Sequence, residues 1–376
     1  MQKQILILCV FFLIFFISCA KKTEELEYPI VVETLDEIKV ITNPDYPRDG
    51  KVTFNLIEEV SIGKEIGEEE YLLNRPFQIH VDNQGYIYVL DIRDCHILVY
   101  DDMGKYVRTI GRKGQGPGEF MSLAFFDFSQ DGRVFVNDYM NQRIIIFDRE
   151  GNLLGGFKLE DFYTGMLFAS DGRVYFQKRS QKKEVELTSE FQESQMITSV
   201  ISMDSDGQNI NRLIDIETET IRSKAVEGSV LTVGGSRTER FVWALDPRGK
   251  LYVGFSKTYQ ITVLNADSSV EFRFGREYTE VANEEHKENP RLNEFHPAFF
   301  PNMLIDGDGN CWIRQFTPAD FEGYLYDIFN HEGIFIKQAV LSYPLYMFKK
   351  GKAYSMLVSE FDYPMVKRFR LEEIKE

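Results

Sequence analysis

Gly132-Arg133-Val134-Phe135-Val136, followed by a second turn, Asp148-Arg149-Glu150-Gly151, that ends 19 residues after Gly132, is the unit from which the fold is read. A turn glycine supplies the positive φ of a tight hairpin, and alternating β-branched and aromatic residues suit a half-buried strand. The first turn and its strand recur as Gly85 with Tyr86-Ile87-Tyr88-Val89, Gly172 with Arg173-Val174-Tyr175-Phe176, and Gly249 with Lys250-Leu251-Tyr252-Val253. Gly309 with Asn310-Cys311-Trp312-Ile313 and Gly351 with Lys352-Ala353-Tyr354-Ser355 complete the series. The second turn recurs at Asp101–Gly104, Asp204–Gly207, Asn265–Ser268 and Asn330–Gly333, so that first and second turns lie 19, 19, 35, 19 and 24 residues apart.

Nineteen residues hold two strands and a loop, so each repeat predicts four antiparallel strands with tight turns joining the first to the second and the third to the fourth. The fold class expected is all-β: a six-bladed β-propeller of four-stranded antiparallel blades. Only about two strands follow Gly351, at Tyr354–Val358 and Pro364–Leu371, and the strand-like run Lys51–Ile62 has no other partner. An N-terminal strand that completes the last blade closes the ring and leaves no open edge.

Val136-Asn137-Asp138-Tyr139-Met140-Asn141-Gln142-Arg143-Ile144-Ile145-Ile146-Phe147-Asp148 resembles the NHL repeat, and Val89–Asp101 repeats it with Asp91, Asp94 and His96 in place of Asp138, Asn141 and Arg143. Gly111–Phe120 is similar to the glycine-rich link between such blades. At the N-terminus, Lys3 precedes an apolar run from Ile5 to Ile17, too short to span a bilayer, and Ser18-Cys19 follows it. That pattern resembles a bacterial lipoprotein signal. The whole chain thus resembles the NHL-like (TolB-like) six-bladed propeller lipoproteins of Gram-negative bacteria. The resemblance implies a signal peptide at 1–18, lipidation of Cys19, a lipid-anchored tether at 19–50 and a propeller at 51–376, exported to the outer membrane and facing the periplasm or the cell surface. Lys21-Lys22 followed by acidic residues, with Pro29, Pro44 and Pro47, fits such a tether.

The 376 residues carry 43 Lys+Arg against 59 Asp+Glu, a net charge of −16, which excludes nucleic acid as a partner because phosphate recognition needs a basic footprint. The partners expected are the membrane, through the lipid, and a protein, peptide or glycan. No cofactor and no metal site is expected: the five histidines form no His-x-x-x-His pair, and no Cys-x-x-Cys is present. Asp306-Gly307-Asp308-Gly309-Asn310 opens like a calcium loop but has Cys311 and Thr317 where glycine and glutamate belong, so a hairpin turn is expected there. Cys95 and Cys311 fall in non-adjacent blades and are expected as free thiols.

Strand polarity puts both series of tight turns at one end of the molecule and the remaining connections at the other. Every length excess falls in the second class: the loops within Lys178–Met196 and Gln315–Gly323, and the crossovers at 112–121, 215–238 and 277–297. Variation in repeats collects on the binding face, so the long-connection end is expected to do the work. Its candidate ligand-binding residues are Arg75, Arg93, Arg112, Tyr139, Arg143, His296 and Arg314. Asp91 and Asp138 are expected to hold turn amides, and His96 to pair with a neighbouring loop. With no catalytic constellation in view, a recognition or scaffold role is read ahead of the alternative, a lyase or hydrolase acting on a glycan or lactone at the channel mouth.

Overall fold

The computed structural model describes residues 28–183, 188–227, 229–234, 239–283, 295–317 and 321–374. The expected signal peptide and the lipidated Cys19 lie outside them. The fold is all-β: among the described residues there are no α-helices.

The chain enters through a hairpin, β1 (Val31–Leu35) and β2 (Ile38–Asn43), and the long strand β3 (Lys51–Ile62). Two four-stranded antiparallel sheets follow. The first is β4 (Pro76–Val81), β5 (Ile87–Asp91), β6 (His96–Tyr100) and β7 (Tyr106–Ile110). The glycine-rich link then makes two short parallel strands, β8 (Arg112–Lys113) and β9 (Glu119–Phe120). The second is β10 (Leu123–Phe128), β11 (Val134–Asp138), β12 (Arg143–Phe147) and β13 (Leu153–Lys158). A five-stranded sheet holds β14 (Thr164–Phe168), β15 (Val174–Gln181), β16 (Gln192–Met203), β17 (Asn211–Val226) and β18 (Ser229–Gly234).

In a six-stranded sheet, β19 (Phe241–Leu245), β20 (Leu251–Phe255), β21 (Gln260–Leu264) and β22 (Val270–Arg276) are extended by β2 and then β1. The last sheet has eight strands. It joins β23 (Met303–Ile305), β24 (Cys311–Arg314), β25 (Tyr324–Phe329) and β26 (Phe335–Leu341) through β3 to β29 (Pro364–Ile374), β28 (Lys352–Val358) and β27 (Met347–Lys349).

The pairing expected between the two ends of the chain is present: β3 runs antiparallel to β29 from Ile62↔Val366 to Thr53↔Ile374. The first-turn glycines all take positive φ, from +69° at Gly351 to +102° at Gly85. Four expectations need correction. Strand addition makes three of the sheets larger than four strands, because outer edges that the sequence leaves open are covered. β2 lies parallel to β22, the start of β3 lies parallel to β26, and β18 adds antiparallel to β17. Likewise the segment read as a tether holds the β1–β2 hairpin over Val31–Asn43, pinned by Asn43. The insertion read as a loop within Lys178–Met196 is largely the extended arms of β15 and β16, apart from 184–187, which lie outside the described residues. The crossover at 215–238 likewise enters β17 and β18. Alternating Ile, Val and Thr in these runs suit strands.

The core lies between sheets. Tyr88, Phe120, Phe126, Phe135 and Phe176 are fully buried in one cluster that spans the first three sheets. Phe274, Phe299 and Phe329 form another between the six- and eight-stranded sheets. Close approach decides some contacts: a Cβ on Gly165, already at φ +63°, would lie 2.6 Å from the Trp243 ring. The first strands of the antiparallel runs, β4, β10, β14, β19, β23 and β27, all line one central cavity of about 350 Å³.

Asn43 is 1% exposed, donates to Gly275 O (2.8 Å) and Gly333 O (2.9 Å), and accepts from Phe335 N (2.9 Å). Asn43→Ala strands two buried carbonyls and an amide, and should lower stability by roughly 2–4 kcal/mol in urea unfolding. Val32→Ala, on the exposed face of the same hairpin, should stay within about 0.5 kcal/mol. Equal effects would show that the hairpin is not held through Asn43.

Candidate functional site

First strands begin, and second strands end, at the long-connection end. The expected residues there fall into small groups. Around Asp91, fully buried at the end of β5, the carboxylate accepts from Asn74 N (2.7 Å), Arg75 N (3.0 Å) and Arg93 N (3.2 Å). Arg93 Nη1 also donates to Asn74 Oδ1 at 3.1 Å, while the Arg75 side chain is exposed. Asp138 does the same work for Met121 N and Ser122 N, both at 3.1 Å, and binds Arg143 Nε at 3.0 Å. These two aspartates are holding turn amides, as their motif position suggests.

Arg143 also donates to Glu119 O (2.8 Å), and Arg112 pairs with the Glu119 carboxylate (2.8 Å). Backbone and Arg112 hydrogen bonds hold the Glu119 carboxyl below its usual range. Tyr139 packs its ring 5.2 Å from Phe162. Asp91, Asp94 and His96 bring ligand-type atoms within 4.8 Å of one another, a grouping the sequence reading did not anticipate. Asp91 is already committed to the three loop amides.

His296 and Arg314, eighteen residues apart in the sequence, are brought together through phenylalanines. His296 stacks on Phe316 at 5.1 Å, Phe316 lies 5.4 Å from Phe300, and the Arg314 guanidinium sits over Phe300 at 3.9 Å and over Tyr324 at 4.6 Å. Cation–π attraction holds such a guanidinium without neutralising it. Arg314 Nε is enclosed and has no hydrogen-bond partner, and neither does Asn302 Oδ1 on the neighbouring segment. Asn302 Nδ2 donates to Leu345 O (3.1 Å), next to Tyr346, which lines the central cavity. Burial raises the Tyr346 phenol above its usual value, with Arg314 opposing and Tyr324 reinforcing, so the three groups share one field.

Sequence reasoning named His296 and Arg314 but missed Phe300, Asn302, Phe316, Tyr324 and Tyr346. It also missed the cavity wall. There, His80 Nδ1 lies 3.2 Å from Asp127 Oδ1, and Gln78 Nε2 is 2.7 Å from His80 Nε2. A third omission is a buried network behind the site. Asp327, fully buried, accepts from Arg276 Nε (2.6 Å), Tyr259 OH (2.7 Å) and Gln338 Nε2 (2.8 Å). Burial and then the Asp327 charge push the Tyr259 phenol well above its usual value, so it donates as a neutral hydroxyl. Gln315 bonds both Tyr259 (2.8 Å) and Arg276 (3.1 Å), directly beside Arg314 in the chain. Cys95 and Cys311 are free and buried, and burial pushes the Cys311 thiol up, away from the reactive thiolate.

The family model described as "Domain of unknown function (DUF4934)" matches residues 68–318. No match to a curated protein was found. Among solved structures, the chain is similar to a member of the DUF4221 family from Bacteroides vulgatus, at 12% identity and TM-score 0.55, covering 86% of this chain and 99% of that one. It is also similar to a Bacteroides fragilis protein whose name classes it as exported, at 13% identity and TM-score 0.54, with the same two coverages, 86% and 99%. Virginiamycin B lyase from Staphylococcus aureus aligns at 11% identity and TM-score 0.45 over 84% of this chain and 99% of that one. At these identities the likeness is one of fold and of nothing more.

Asp327→Ala removes the only carboxylate that Arg276 meets within hydrogen-bond reach among the described residues. It should destabilise the protein by about 3–5 kcal/mol, because a buried charge is left uncompensated. Urea unfolding measures this, and a loss below about 1 kcal/mol would show that the guanidinium reaches water.

Proposed function

Given that this chain belongs to the DUF4934 family, we propose that it is a lipid-anchored recognition propeller that binds a peptide, protein or glycan at its long-connection end. In this reading the eight-stranded sheet is two blades fused through β3, so that six blades surround the central cavity.

The observation that carries the reading is the Arg314 site. A guanidinium held between two aromatic faces, with its Nε and the nearby Asn302 Oδ1 both enclosed and unpaired, offers one donor and one acceptor. Buried polar atoms without partners are rare, and an incoming ligand is one way to satisfy them. Exposed rings continue from this site along the central cavity: Tyr346, in the field of Arg314, and Phe77 both line it, 41% and 45% exposed, with Phe125 against Phe77. Exposed rings next to a few fixed polar groups suit a ligand with both apolar faces and hydrogen-bonding edges, which peptides and glycans share. Arg75, Arg93, Arg112 and Arg143 are engaged with the loops or exposed at the rim, and in this reading they support the binding surface.

A photo-crosslinking residue placed at Phe77 in the native bacterium should capture a defined partner. The same residue at Met103, on a tight turn at the other end, should capture none. Arg314→Ala should lower the Phe77 yield by about tenfold, the loss of a charged hydrogen bond. Equal capture from both ends, or capture indifferent to Arg314, would contradict the reading.

Membrane attachment rests on Ser18-Cys19 after the apolar run. Cys19→Ala should abolish incorporation of labelled palmitate and release the chain from the membrane fraction. Labelling that survives the substitution would remove the anchor from the account.

A further inference from the structure

The tight-turn end of the molecule carries a second polar pocket, of about 230 Å³, next to the central cavity and sharing His80, Asp127 and Phe168 with it. Asp82 and Arg149 both line it, as does Lys349.

Asp82 belongs to the first tight turn. Its Oδ1 accepts from Gln84 N (2.9 Å), Gly85 N (2.8 Å) and Tyr86 N (3.0 Å). Its Oδ2 has no partner, although the residue is only 5% exposed. The same turn occurs twice more with an aspartate in the same place, and there both oxygens are used. Asp246 Oδ2 accepts from Arg248 Nε at 2.8 Å. Asp306 Oδ2 accepts from Asn310 Nδ2 and Trp312 Nε1, both at 2.9 Å. In the first turn, Gln84 stands where Arg248 does, and Tyr86 and Tyr88 stand where Asn310 and Trp312 do. The turn is therefore built alike in all three, and only Asp82 keeps an acceptor unspent.

Also in the pocket lining, Arg149 has an Nε that is enclosed and unpaired. The guanidinium lies over Gly132, where a Cβ would come within 2.0 Å of Nε, so the glycine at φ +84° leaves room for it. Burial and then the Asp82 charge raise the Tyr88 phenol, while Arg108 and Arg149 pull it down; among the described residues no ion pair joins Asp82 to Arg149, although both line the pocket. An unspent carboxylate oxygen and an unspent guanidinium nitrogen in the walls of one pocket are a complementary acceptor and donor.

We propose that this pocket binds a small carboxylic acid that carries a neighbouring hydrogen-bond donor, its carboxylate taken by Arg149 and its donor by Asp82 Oδ2. Arg149 suits a carboxylate because a guanidinium presents paired donors, and Lys349 adds positive charge on the same wall. The donor is a hydroxyl in a hydroxy acid or an ammonium in an amino acid. This site is distinct from the Arg314 site and independent of the macromolecular reading above.

Calorimetric titration of the full chain in detergent with gluconate and with L-alanine separates the two donors, and glucose serves as the probe without a carboxylate. Saturable binding of either acid, and not of glucose, is expected. Arg149→Met should weaken it by about tenfold or more, and Asp82→Asn, which keeps an oxygen for the turn amides, should weaken it similarly. Arg149→Lys, which preserves charge but not paired geometry, gives an intermediate loss and covers the case in which the methionine variant does not fold. Arg314→Ala should leave acid binding unchanged, so failure at one end is distinguishable from failure at the other. Absence of binding by both acids, equal binding of glucose, or binding insensitive to both Arg149 and Asp82 would overturn the proposal.

Discussion

The pairing of β3 with β29 is the constraint on which the rest of the molecule depends. It brings Ser61 opposite Lys367, residues from opposite ends of the chain, and continues along nearly the whole of both strands. Because β3 also begins parallel to β26, one N-terminal strand ties together strands from the last hundred residues. Side chains reinforce it: Glu59 meets Lys352 (2.5 Å) and Arg368 (3.1 Å), and Glu58 meets Lys367 (2.7 Å). These ion pairs are partly exposed and contribute little individually; the burial of Val60 and Ile62 against Tyr354 and Val366 supplies more. Loop closure of this length is slow to form and is rewarded only once both ends have folded.

What was legible in the sequence is what local chemistry decides. Turn glycines must take positive φ, and the Asp91 and Asp138 carboxylates sit in motifs whose amides they hold, so both could be read without coordinates. The closing strand was legible for a different reason: Lys51–Ile62 had the pattern of a strand and the last repeat lacked one. The hairpin Val31–Asn43 was misread as a tether because addition parallel to β22 depends on an edge more than two hundred residues away, and nothing nearby announces it. The insertion within Lys178–Met196 was read as loop from its length alone, whereas its strand arms follow from alternation over Gln192–Met203.

The site residues divide along the same line. Arg314 and His296 could be placed at the correct end by strand polarity, yet their contacts with Phe300, Phe316 and Tyr324 are set by register between β24, β25 and the preceding loop. The contrast among Asp82, Asp246 and Asp306 is sharper still. All three begin the same turn, and only the identity of the residues two, four and six positions later decides whether the second oxygen is satisfied. The two ends of the cavity thus offer different chemistry, aromatic and cationic at one and mixed in charge at the other, on a frame held in place by a single strand pairing.

Cysteines introduced together at Ser61 and Lys367 test that frame most directly, since Cys95 and Cys311 are buried and do not compete. The account predicts that they form a disulfide in the native protein without reshaping it, that the oxidised chain migrates faster on a non-reducing gel, and that its urea midpoint rises. Thiols that remain free in the folded protein, or a disulfide that lowers the midpoint, would contradict it.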